Sequence, residues 1–143
     1  MPATGTFEVK MIPQAADAPE AGPFGRLVLD KRYHGALEAV SCGQMMAFRS
    51  AVEGSAGYVA LEQVTGTLDG RHGSFVLQHD GLMARGAPQR LTVTIVPDSG
   101  TGELAGIAGE LEIIFGAEGH RYVLEYGLGG GAVGRGGRDR HVC

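Results

Sequence analysis

Tyr58-Val59-Ala60-Leu61-Glu62-Gln63-Val64-Thr65-Gly66-Thr67-Leu68 is followed by Asp69-Gly70-Arg71-His72-Gly73 and then by Ser74-Phe75-Val76-Leu77-Gln78-His79. Two alternating, β-branched and aromatic runs separated by a turn-forming cluster describe an antiparallel hairpin. Side chains alternate across a strand, so Tyr58, Ala60, Glu62, Val64 and Gly66 share one face of the first run, and Phe75, Leu77 and His79 share one face of the second. A four-residue loop over residues 69–72 sets Leu68 opposite Gly73, Val64 opposite Leu77 and Glu62 opposite His79. An acid and an imidazole then meet on an otherwise apolar face. That face is expected to point inward, because the other side of the second run carries Ser74, Gln78 and Asp80.

The same grammar extends in both directions. Residues 6–12, 27–33, 37–48, 91–95, 111–115 and 122–126 alternate with period two. Gly- and Pro-rich stretches at residues 15–23, 54–57, 97–102 and 116–119 separate them. The segment 37–48 is read as a strand with an irregularity at Gly43, a helix being the competing reading. About eight strands with short connections favour antiparallel neighbours. The fold class expected is all-β, a closed antiparallel barrel, since closure removes exposed edges from a sheet rich in Val, Ile and Leu. An immunoglobulin sandwich would place a Trp between two cysteines, and this chain has no Trp.

Composition narrows the function classes. The 143 residues suit one domain, and the net charge of −4, with twelve Lys and Arg scattered apart from the C-terminal arginines, leaves the barrel no basic face for phosphates, so no nucleic-acid partner is expected. No apolar run approaches the roughly 20 residues that span a bilayer, and the N-terminal residues lack the basic and apolar segments of a secretory leader. With two cysteines, Cys42 and Cys143, read as free thiols, a cytoplasmic location is expected.

The motif at residues 58–79 resembles a bacterial family known only as a domain of unknown function (DUF), whose barrel is like that of allene oxide cyclase. Val96-Pro97-Asp98-Ser99-Gly100-Thr101-Gly102-Glu103-Leu104 and Gly5-Thr6-Phe7-Glu8-Val9 carry the same resemblance. It covers residues 5–126 and implies an eight-stranded barrel with a small lumen. It implies no activity, and no residue matches an allene oxide cyclase active site, so none is carried over. The chain divides on this reading into a barrel domain, 5–126, and a disordered Gly/Arg-rich tail, 127–143, which departs from the family's usual end.

Few groups in the sequence carry chemistry. Glu62 and His79 are the candidate catalytic pair, and Tyr58, Glu62, Val64, Phe75, Leu77 and His79 are the candidate ligand-binding residues of the lumen. An acid–imidazole pair can move a proton or orient a polar ligand. The plainer reading is a satisfied buried pair that fixes strand register. His34, His79 and His120 lack metal-ligand spacing, so no metal and no cofactor are expected. Gly100 to Gly106 fails as a dinucleotide fingerprint on spacing and on context. The Arg-Gly-Gly-like piece at residues 134–138 is too short to argue for RNA. The foremost functional expectation is a small-molecule-binding barrel for an apolar or amphipathic ligand. The alternatives are an isomerase or cyclase using a luminal Glu–His pair, and a filled structural or interaction barrel. A homo-oligomer stays open, and the state of the lumen decides most.

Overall fold

Period-two alternation becomes strand along nearly the whole chain in the computed structural model, which describes residues 2–15 and 18–129. Nine strands form: β1 (Ala3–Pro13), β2 (Gly25–Gly35), β3 (Leu37–Arg49), β4 (Ala56–Leu68), β5 (Arg71–Ala84), β6 (Ala87–Ile95), the two-residue β7 (Thr101–Gly102), β8 (Ile107–Gly116) and β9 (Gly119–Leu128). One turn of 3-10 helix, Pro19–Ala21, sits in the first connection. Neighbours pair antiparallel in the order β4-β3-β2-β1-β9-β8-β6-β5, and β4 pairs with β5, so eight strands close into a ring with β7 added to β5. Closure leaves the eight main strands paired on both sides, as expected for a sheet this apolar.

The structure corrects the hairpin count. Leu68 pairs with Arg71, so the turn is the two residues Asp69-Gly70 rather than four. Both adopt positive φ, 49° and 86°, the geometry of a two-residue hairpin turn whose twist matches the flanking strands. Glu62 therefore faces Leu77, and His79 faces Ala60. The displacement is two residues, an even number, so Glu62 and His79 remain on one face as diagonal neighbours.

Other expectations shift at the margins. Pairing runs unbroken through Gly43 on both sides of β3. The described irregularity falls instead between Leu82 and Met83, where β5 meets β6. Ser74 is buried although it points away from the lumen, because β7 crosses it and its hydroxyl meets that of Thr101 at 2.7 Å. The barrel begins at Ala3 and β9 continues to Leu128, two residues beyond each assumed boundary. The rest of the assumed tail, from residue 130, lies outside the described residues. Cys42 is disulfide-bonded, not the free thiol expected, and Cys143 lies outside the described residues.

The core fills one end of the barrel. Leu37, Leu68, Phe75, Leu104, Ile107 and Leu124 are buried there, and Tyr33 packs edge-on against Tyr122 at 5.6 Å. Tyr122 ties the connection between β2 and β3 to this end. Its hydroxyl donates to the carbonyls of His34 and Leu37, at 3.0 and 3.2 Å, and accepts from the amide of Leu37 at 2.9 Å. The opposite end, ringed by the ends of β1, β4, β8 and β9, is not filled.

Candidate functional site

Halfway along the lumen the apolar packing gives way to polar groups. Lys31 and Tyr33 come from β2, Ser41 from β3, Glu62 from β4 and His79 from β5. The carboxylate of Glu62, 1% exposed, is the hub. It accepts from Lys31 Nζ at 2.8 Å, from the Tyr33 hydroxyl at 3.0 Å to each oxygen, from Ser41 Oγ, and from His79 Nε2 at 2.7 Å. Lys31 Nζ also lies 3.4 Å from the Tyr33 hydroxyl and 4.9 Å from the centre of the Phe7 ring. A buried charge is tolerated only when paired and hydrogen-bonded, and this one is saturated.

Register explains how five side chains converge. Lys31 pairs with Ser41, and the next inward position on β3 is Gly43, which pairs with Glu62. A Cβ on Gly43 would lie 2.7 Å from Glu62 Cβ and 2.8 Å from its Cα, so the missing side chain gives Glu62 its room. Burial pushes the Glu62 acid upward. The His79 hydrogen bond, the Lys31 charge, the His79 charge and the Lys31 hydrogen bond together outweigh burial and bring it down to about 2. Burial, and then Glu62, push the Tyr33 hydroxyl well above the usual phenolic range, so it stays a donor.

A carboxylate without a proton can only accept. His79 must therefore carry its proton on Nε2 when neutral, and its Nδ1 makes no hydrogen bond among the described residues. His79, 4% exposed, borders a cavity of about 200 Å³ at the unfilled end of the barrel. Phe7, Val9, Leu29, Met45, Ile113 and Phe115 supply its apolar walls, and Lys31, His79, Tyr58 and His120 also line it. His120 stacks on Phe7 at 5.0 Å and meets the edge of Phe115 at 5.2 Å. Burial, then Asp80 and Glu62, raise the Tyr58 hydroxyl above its usual range.

Of the residues singled out in the sequence, Glu62 and His79 are in contact, Tyr58 and His79 border the mouth cavity, and Glu62 lies behind His79. Val64, Phe75 and Leu77 do not belong with them: they are fully buried in the filled end and border none of the described cavities. The phase of strand packing put all six on one face; Val64 and Phe75 lie one pair deeper than Glu62, and Leu77 pairs directly across from it. Lys31, Tyr33 and Ser41 were not singled out. Lys31 stands in phase with Leu27, Leu29 and Tyr33, a charge in an apolar row, and that was the available signal. His34 pairs instead with Glu8 on the surface at 3.0 Å, so the three candidate histidines do not converge.

A larger concavity, about 1030 Å³, is elsewhere. It lies on the outer face of β2 to β5, bordered by the exposed Met46, Val59 and Leu61. Glu62 and His79 contribute only backbone there, since their side chains point to the lumen. Arg26, Gln44, Gln63, Gln78 and Asp80 also line this concavity; the smaller luminal cavity is the one that adjoins the buried Glu62 cluster.

The model of the DUF3224 family, described as a protein of unknown function, matches residues 3–126. The chain belongs to the DUF3224 family. A crystal structure of a DUF3224 protein from Shewanella oneidensis MR-1 is 46% identical to it and superposes with a TM-score of 0.85. The match covers 92% of this chain and 98% of that one. No curated protein matches. Membership in DUF3224 fixes the barrel and leaves its use to be argued from the luminal site. None of the described DUF3224 elements is a helix long and apolar enough to cross a membrane.

Proposed function

We propose that this barrel binds a small apolar molecule in the mouth of its lumen, with the ligand's polar group against His79. The free Nδ1 of a nearly buried imidazole on the wall of an apolar cavity carries the reading. Ligand sites combine apolar walls with a few placed polar groups, and here Glu62 orients the imidazole as the partner of a donor-bearing ligand. The volume of about 200 Å³ suits a compact molecule of roughly eight heavy atoms, since an apolar cavity of about 150 Å³ takes benzene, about 25 Å³ per heavy atom. The filled half of the barrel supports the ligand floor and takes no part in binding.

Native mass spectrometry of protein purified from its own host tests this, paired with the variant Ala60→Leu. Ala60 is buried on the cavity wall, so a leucine there fills the space. The expected result is a retained small-molecule adduct, or uptake of added small aromatic probes with shifts of the Met45 and Ile113 methyl signals, lost in Ala60→Leu. Probe binding that survives Ala60→Leu unchanged would move the site elsewhere and refute the reading.

A second reading has its own support. A carboxylate holding Nε2 of an imidazole on the cavity wall leaves Nδ1 for a general base's work, so an isomerase that takes a proton from its substrate is consistent with the same residues. Exchange of an acidic C–H proton of a bound ketone with deuterated solvent, abolished by His79→Gln, would support it.

A further inference from the structure

The head group of that ligand can be deduced from the proton inventory of the site, an inference that rests on the binding reading above. The groups that meet the mouth cavity are Lys31 from β2, Tyr58 from β4, His79 from β5 and His120 from β9, with Glu62 and Tyr33 behind them. Faces contributed by β1 and β8 are apolar: Phe7, Val9, Ile113 and Phe115. Lys31 and Glu62 pair at 2.8 Å and their charges cancel. Four side chains already donate to Glu62, so its carboxylate oxygens are taken. Lys31 and His79 both line the cavity, and Nδ1 of His79 makes no hydrogen bond among the described residues.

We propose that the cavity takes a small apolar carboxylic acid, bound as its anion, with one proton gained on His79 Nδ1. The proton balance is simple. A carboxylate arrives from neutral solution without a proton, Nδ1 takes one from solvent, and the new N–H donates to one carboxylate oxygen. Lys31, which also lines the cavity, has a third N–H for the other. The occupied site then holds two cations, Lys31 and His79, against two carboxylates, Glu62 and the ligand. A neutral alcohol of the same shape gains neither charge pairing nor the second oxygen. The walls exclude water, which strengthens charge-assisted bonds formed inside. Among the described residues that line the cavity, His79 combines burial, a carboxylate on Nε2 and an Nδ1 without a hydrogen bond.

Linkage makes this testable. Binding that takes up one proton loses affinity tenfold per pH unit wherever the free imidazole is neutral. Benzoate and benzyl alcohol, similar in size and apolar body, serve as probes in isothermal titration calorimetry. Repeating the titration in buffers of different ionisation enthalpy counts the protons taken up. Benzoate should bind at least tenfold more tightly than benzyl alcohol near neutral pH, with a proton uptake that the alcohol lacks. In His79→Gln, whose amide can still donate to Glu62, the proton uptake and the pH slope should vanish. Nitrogen-15 signals of the histidine ring in the wild-type protein should move to the imidazolium position on adding benzoate, a readout that does not depend on a variant folding. Equal binding of the two probes, or benzoate binding without proton uptake, overturns the carboxylic acid assignment and leaves the binding reading intact. Failure of both probes, with no shift of the Met45 and Ile113 methyls, overturns the assignment and the binding reading together.

Discussion

Glu62→Gln is the sharpest perturbation this barrel offers. The substitution keeps shape and removes one charge from a carboxylate that four side chains donate to. An amide presents an NH2 group where only acceptors are useful, and it leaves Lys31, 6% exposed, without its counter-charge. Removing one partner of a buried ion pair destabilises by about 3–5 kcal/mol, and for a domain of this size that is a fall in Tm of roughly 10–15 °C. Urea denaturation with linear extrapolation measures it, and the pH dependence adds a signature. The folded-state Glu62 acid lies at about 2, below its ordinary value of 4.5. Its contribution is therefore complete above about pH 4.5 and is lost as pH falls from there toward 2. Glu62→Gln should lack that component of the acid limb. Lys31→Met combined with Glu62→Gln should be less destabilised than the two single changes summed, by more than about 1 kcal/mol. A loss below about 1 kcal/mol for Glu62→Gln, or strict additivity in the double variant, would refute the idea that this carboxylate organises the middle of the barrel.

Three further outcomes follow from particular contacts. Gly43→Ala should destabilise by about 3 kcal/mol or more in chemical denaturation, because its Cβ collides with Glu62 and with the Leu61 carbonyl, both held by strand pairing. Tyr122→Phe should lose about 1–3 kcal/mol, since the Leu37 amide and the His34 and Leu37 carbonyls lose a shared partner; amide exchange of Leu37 should rise with it. Gly70→Ala has open space around its Cβ but φ of +86°, so it should lose about 1 kcal/mol from backbone strain alone. A neutral Gly70→Ala would show that the turn relaxes.

Parity was legible in the sequence, and depth was not. Alternation over residues 58–68 and 74–79 assigned each side chain to the lumen or the exterior, and Glu62 and His79 met despite a mistaken loop length. The error was two residues, and an even slip preserves facing. What alternation cannot supply is height along the barrel axis, which depends on the register of every strand in turn. Val64 and Glu62 are neighbours in sequence and share a face, yet one packs in the filled end and the other anchors the polar cluster. Lys31 escaped notice because a lysine in a strand is ordinarily a surface residue, and only the closed ring shows that the row containing Leu29 and Tyr33 leaves it no way out. The small β7 and the burial of Ser74 were equally out of reach, since a two-residue strand has no period to read.

Closure of the ring also bears on how the chain could be rewired. Ala3 pairs with Leu124 in the seam between β1 and β9, so the first and last described strands are neighbours in the same sheet. A ring of this kind has no preferred starting point. A short linker could join its ends, and new termini could be cut at an exposed turn, giving a circular permutant with every ladder retained. The choice of cut is not neutral for the luminal site. Opening at Asp69-Gly70 would send Glu62 and His79 to opposite ends of the polypeptide, so that their meeting would rest entirely on the barrel closing. Opening between β8 and β9 would leave them seventeen residues apart, joined by the same hairpin as in the natural order.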